Sequence, residues 1–146
     1  MIVKNLRESR ELLDLKQKDL ADILGVNFTT VSGWETGKDT IPLERLVDYA
    51  NLYNYSLDYL FGLTRDNIDG YLPLELNLEV IAKNLRIIRK KNNLTQEQVA
   101  KKINTTQAAY AHYELALNLI PTTFLYNLVQ VYEPFSIDKL LGRKKQ

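Results

Sequence analysis

The chain repeats itself at a fixed offset of 79 residues. Lys4-Asn5-Leu6-Arg7 falls on Lys83-Asn84-Leu85-Arg86, and Arg10, Leu15, Gln17 and Ala21 fall on Arg89, Leu94, Gln96 and Ala100. Glu35, Ile41, Pro42, Leu46 and Tyr53 match Glu114, Ile120, Pro121, Leu125 and Tyr132. One extra residue around Pro134 moves the offset to 80, and Ser56, Asp58, Leu60 and Gly62 then meet Ser136, Asp138, Leu140 and Gly142. Thirteen identities in the 50 aligned positions from Lys4 to Tyr53 are too regular for chance. Repeated units fold alike. A length of 146 residues, which alone would suggest one domain, therefore divides into a first unit at 1–64, a joining segment at 65–78 and a second unit at 79–146. Units this small bury only about 60% of their chain's surface and are marginal alone.

Composition narrows the function classes. The 45% hydrophobic and 25% charged residues are ordinary for a soluble globular protein. No apolar run approaches the ~20 residues of a membrane helix, and Met1-Ile2-Val3-Lys4-Asn5 lacks the apolar core of a secretion signal, so a cytoplasmic protein is expected. With no cysteine there is no disulfide framework, thiolate nucleophile or cysteine metal site. One histidine, His112, no glycine-rich phosphate loop and no metal-spaced cluster argue against an enzyme, a metal, a cofactor or a small-molecule ligand. The net charge of +1 is unevenly spread: residues 1–66 carry 8 Lys+Arg against 11 Asp+Glu, and residues 67–146 carry 11 against 7. Any nucleic-acid contact must come from placed residues rather than bulk positive charge. The terminal Arg143-Lys144-Lys145 reads as a solvated tail or a phosphate contact.

The pattern along each unit is all-α. Ile2, Leu6, Ser9, Leu12 and Leu13 follow helical spacing and predict a helix near 2–14 with Arg7, Arg10 and Glu11 outward. Further helices are expected near 17–24, 28–36, 43–54 and 57–61. Gly25 and Gly37 end the second and third, Asn27 caps the third, Pro42 precedes the fourth and Ser56 caps the last. Leu46, Val47, Ala50 and Leu52 are the expected packing face of the fourth helix. The second unit predicts helices near 80–92, 96–103, 107–115, 122–132 and 137–141, with a capping box at Thr95-Gln96-Glu97-Gln98. Gly25 becomes Asn104, Gly37 becomes Ala116 and Trp34 becomes Tyr113. Asn104 can keep the left-handed turn, whereas Ala116 suits it poorly and leaves that helix end open. The joining segment carries turn chemistry at Asp69-Gly70 and Pro73. It is too apolar for a free linker (Tyr71, Leu72, Leu74, Leu76, Leu78) and is expected to pack between the units.

A short helix, a tight turn after Gly25 and a second short helix with a polar start form a helix-turn-helix. The run from Gln17 to Gly37, with Ile41-Pro42 and Ser56-Leu57-Asp58-Tyr59-Leu60-Phe61-Gly62, resembles the Cro/phage-repressor (XRE-type) family of DNA-binding domains. Thr95 to Glu114, Ile120-Pro121 and Ser136 to Gly142 resemble it less completely. The resemblance implies two tandem lambda-repressor-like five-helix domains and a third helix whose first side chains meet base edges in the major groove. Carried over, the DNA-facing residues are Asn27, Phe28, Thr29, Thr30 and Gly33 in the first unit and Thr106, Gln107, Ala108, Ala109 and His112 in the second. Gln107 is the sharpest candidate because glutamine pairs bidentately with adenine, while Thr29, Thr30 and Phe28 could meet a thymine methyl. Gly33 would allow only close approach. The alternative for each is a solvated helix face.

Gln17 and Gln96 open the second helix of each unit; the resemblance implies a phosphate contact and a brace for the reading helix, against simple capping. Lys38, Lys16 and Lys18, and in the second unit Lys101, Lys102 and Arg89, could neutralise phosphates. Arg10 and Arg89 are better read as internal ion pairs with Glu35 and Glu114, and Trp34 and Tyr113 as core. The expected function is a sequence-specific transcriptional regulator, a repressor by expectation, binding double-stranded DNA at two unlike half-sites, with self-association left open. The rivals are a protein-interaction module of antitoxin or anti-repressor type, or one unit reading DNA while the other dimerises.

Overall fold

The computed structural model describes residues 1–146. Ten helices divide into two units, Met1–Tyr71 and Leu72–Gln146. In the first, α1 (Leu6–Leu12), α2 (Gln17–Leu24), α3 (Phe28–Thr36), α4 (Leu43–Tyr53) and α5 (Leu57–Leu60) follow one another through short turns. In the second, α6 (Leu78–Lys91), α7 (Gln96–Lys102), α8 (Gln107–Glu114), α9 (Thr122–Val131) and α10 (Ile137–Leu140) repeat the order.

The helix ends have local causes. Gly25 closes α2 with φ 68°, and Asn104 takes the same φ of 68° after α7, so the left-handed residue that sets the α2–α3 turn survives the loss of glycine. Thr95 Oγ1 accepts from Gln98 N at 3.1 Å while Gln98 Oε1 accepts from Thr95 N at 2.8 Å, the expected capping box. The first unit keeps only the reciprocal half, Asp19 accepting from Lys16 N at 2.8 Å, because lysine has no acceptor to offer. Ser56 and Ser136 cap α5 and α10 by accepting from Tyr59 N and Lys139 N. Asn27 occupies the N-cap position of α3 in extended conformation, but its side chain makes no capping bond; the expected cap is positional only.

Ala116 resolves the end of α8. It adopts φ 59°, so the chain turns where Gly37 turns at φ 86°, and α8 does not run on but ends at Glu114, one residue sooner than α3 does. An L-residue in this region costs roughly 1–2 kcal/mol. Ala116→Gly should therefore stabilise the second unit by on the order of 1 kcal/mol after glycine's own entropy cost, seen as a higher urea midpoint. An unchanged or lower midpoint would mean that the strain is absorbed elsewhere.

The apolar faces meet in one core per unit. Leu6, Leu20, Val31, Leu46 and Leu57 are fully enclosed in the first, and Leu85, Val99, Tyr110, Leu125 and Ile137 in the second. The repeats exchange polar for apolar partners in matched pairs. Ser9 Oγ and the buried Tyr49 hydroxyl lie 2.7 Å apart; the offset puts Ile88 and the buried Leu128 in those positions. Losing both halves of a buried hydrogen bond together is nearly neutral, whereas losing one is costly.

Several expectations from periodicity fail at the edges. The first helix spans 6–12 rather than 2–14, because Val3 and Asn5 make turn contacts instead (Leu6 N to Val3 O, Asn5 N to Leu60 O). Leu12 is 70% exposed and Ile2 52% exposed, and Leu52 on α4 is 57% exposed rather than packed. Arg10 faces inward, not outward.

Residues 65–78 are tied to the body on either side. Asn67 Oδ1 accepts from Ser56 N at 2.7 Å, its Nδ2 donates to Asn54 O, and Ile68 N donates to Ser56 Oγ. Leu72 N donates to Lys144 O at 2.8 Å, and Leu74 is buried within the second unit. Arg143 is not part of a solvated tail. Its guanidinium is enclosed, donating to Leu72 O at 2.9 Å and pairing with Asp138 at 3.1 Å.

Candidate nucleic-acid interface

Helices α2 and α3, and likewise α7 and α8, pack against each other across the tight left-handed turn, leaving the first residues of α3 and α8 outward. What holds α3 and α8 in place is a polar cluster that the repeat reproduces bond for bond. Arg10 grips Glu35, near the end of α3, through Nε to Oε2 at 2.7 Å and Nη2 to Oε1 at 2.8 Å, and Nη1 donates to Leu15 O. Gln17, the first residue of α2, adds its Nε2 to Glu35 Oε1 at 3.0 Å. In the second unit Arg89 grips Glu114 at 2.8 and 3.0 Å and donates to Leu94 O, and Gln96 Nε2 reaches Glu114 Oε1 at 3.2 Å. One carboxylate thus ties three elements together. The Glu35 and Glu114 side chains are 2% and 1% exposed.

Burial alone would raise both carboxyls. The paired arginine and the glutamine amide outweigh it and hold Glu35 and Glu114 below the usual carboxylate range. Hydrogen bonding to these carboxylates raises Arg10 and Arg89 further, so both guanidiniums stay charged. Gln17 and Gln96 are consequently committed to the brace by their amide nitrogens. Arg89 is committed to its ion pair and is not available as a phosphate contact.

The predicted DNA-facing residues are distributed as follows. Asn27, Phe28, Thr29 and Lys38 are exposed, Phe28 by 53%, and Thr30 and Gln17 are half-buried. Thr106, Gln107, Ala108 and His112 are exposed, and Ala109 and Gln96 half-buried. Thr106 Oγ1 accepts from Ala109 N at 3.1 Å, so its hydroxyl oxygen caps α8 as well as facing outward. Gly33 differs from expectation. It is buried, and a Cβ built there would lie 2.8 Å from Asp39 Oδ2, so Asp39 covers the place where close approach was expected. Trp34 and Tyr113 are core residues, at 3% and 8% exposure.

Two features escaped the sequence reading. Asp39 folds over α3 from the loop beyond it. At the end of α8, Leu115 and Leu117 stand 63% and 61% exposed where the offset has Thr36 and Lys38. The second could have been found by aligning the repeats, since Lys38 falls on Leu117. The second unit instead places exposed Lys101 and Lys102 in the last turn of α7, where the first has Asp22 and Ile23.

A family model described as helix-turn-helix matches residues 6–60 and again 85–140, the two stretches that carry the braced helix pairs. The chain belongs to the XRE-type helix-turn-helix family. This is a family of DNA-binding transcriptional regulators, typically without enzymatic activity. The chain is 30% identical over 112 residues to an uncharacterized HTH-type transcriptional regulator, YobD, of Bacillus subtilis (strain 168), a match covering 64% of this chain and all of that one. It is 34% identical over 59 residues to an uncharacterized transcriptional regulator in the ATPase CF(0) region of Rhodospirillum rubrum, covering 40% of this chain and 55% of that one. No solved structure matches. No helix of this helix-turn-helix protein is long and apolar enough to cross a membrane, and no group of three or more His, Cys, Asp or Glu could hold a metal ion.

Proposed function

We propose that the protein is a sequence-specific transcriptional regulator whose two units each read one half-site of a non-palindromic DNA operator. The observation that carries this reading is the duplicated brace: the Arg–Glu–Gln cluster stands behind α3 and again behind α8, and both helices leave their first turn exposed. A cluster kept in both repeats while the outward residues diverge suits two helices held alike and used on different sequences. Phe28-Thr29-Thr30 offers hydroxyls, methyls and a ring; Gln107-Ala108-Ala109 offers an amide and two methyls. Unlike residues call for unlike bases.

Gln107→Ala tests this most directly. Loss of a bidentate adenine contact should weaken binding to a selected operator by about 1–3 kcal/mol, roughly 5- to 150-fold, and relax preference at one position. Log affinity should also fall steeply with log salt, as phosphate contacts require. Gln107→Ala without effect on a bound operator would remove the second unit from base reading.

A second reading is favoured by one observation. Leu115 and Leu117 form an apolar edge beside α8 in the unit that has lost the counterpart of Lys38. That edge suits a protein surface, with the first unit left to read DNA. Under this reading Leu117→Lys would impair self-association or partner capture and leave DNA affinity unchanged or raised.

A further inference from the structure

Thr29 and Gly33 are one turn apart on α3 and so lie on the same side of the helix. Since Thr29 is exposed, the next position along the outward face belongs to residue 33, which has no side chain to put there. The chain fills the gap from outside. After Gly37 turns the backbone, Asp39 N donates to Gly33 O at 3.1 Å, and Asp39 Oδ2 stands 2.8 Å from the place a Cβ on residue 33 would take. Asp39 is exposed, and no hydrogen bond or ion pair engages its carboxylate. An unpaired anion beside a DNA-reading helix costs affinity with every phosphate nearby, so a base-specific return is the use that would offset it.

We propose that the Asp39 carboxylate, seated over Gly33, is a specificity-determining acceptor that selects a cytosine in the first unit's half-site. A carboxylate only accepts hydrogen bonds. In the major groove guanine presents N7 and O6, and thymine presents O4, all acceptors that repel it. Cytosine presents the N4 amine alone, and adenine presents an amine beside an acceptor at N7. Cytosine is therefore preferred, adenine second, and guanine and thymine are excluded. The offset places His112 and Asn118 at the matching positions of the second unit, so the requirement applies to one half-site only. The proposal rests on the reading that the first unit binds DNA.

The test is selection of bound duplexes from a randomised pool with the full chain and with Asp39→Asn, Asp39→Ala, Gly33→Ala and Thr29→Ala. The wild type should recover a site with a fixed cytosine next to the position that Thr29→Ala relaxes. Replacing that cytosine by thymine should cost the wild type roughly 5- to 150-fold and cost Asp39→Ala almost nothing. Asp39→Asn should shift the preference toward adenine, which offers the donor and acceptor an amide can meet. Gly33→Ala suits a helix, and its methyl displaces the carboxylate; it should erase the same preference with the thermal midpoint kept. Asp39 variants that bind every sequence more tightly and recover an unchanged site would overturn the proposal, leaving Asp39 as a charge held against phosphate. No recovered first half-site, or one indifferent to Thr29→Ala, would overturn it by removing the first unit from base reading.

Discussion

Glu114→Gln should unfold the second unit under conditions where the wild-type chain is intact. The substitution keeps the size of the side chain but leaves Arg89, whose side chain is 13% exposed, without its counter-charge. Breaking a buried pair from one side costs on the order of 3–5 kcal/mol, comparable to the whole stability that a domain of this size can hold. Glu35→Gln should do the same to the first unit, where Arg10 is 8% exposed. Circular dichroism on heating would show two transitions, with the altered unit melting first. Replacing both partners, Arg89→Met with Glu114→Leu, should recover most of the loss, since the charge burial disappears with the pair. A single variant within 1 kcal/mol of wild type would show that the cluster contributes little. The pH dependence follows the same groups. Both carboxyls sit below their unfolded range, so their contribution is complete above that range and is lost as pH falls through the lower folded values. The acid-induced loss should therefore be shallower in the double variant.

Scrambling either half of the operator should cost binding two to four orders of magnitude if both units engage DNA. Two tethered modules gain 10²–10⁴ over one because the second contact is intramolecular, and that gain disappears whichever half is destroyed. The measurement is an electrophoretic shift series with the intact duplex, each scrambled half and both scrambled. Equal losses are expected from either half. A loss from only one half would assign the other unit a different task, and Leu115 and Leu117 point to the second unit as the one released.

The helix-turn-helix itself was legible because its punctuation is chemical. Gly25, Asn104, Thr95, Pro42 and Ser56 fix helix ends by backbone preference or side-chain capping, and the observed bounds follow them to within one or two residues. The ion pairs of Arg10 and Arg89 were legible as family features, and the repeat supports them twice. The losses came where distant segments decide. Periodicity alone placed Arg10 outward and Leu12 inward; the early end of α1 at Leu12 and the pull of Glu35 reverse both. Asp39 could not be placed from spacing, because its position over Gly33 depends on how the loop after α3 folds back. Arg143 reads from sequence as a tail residue or a phosphate contact because its partners, Leu72 and Asp138, are recognisable only once the second unit has closed.

The hydrogen bonds at Asn67 and Ile68 fasten the end of the first unit to its own body, and that at Leu72 fastens the start of the second to its own. With both ends fastened in this way, a protease nick at exposed Gly70 should release two pieces whose helices stay intact, as circular dichroism of the separated pieces would show.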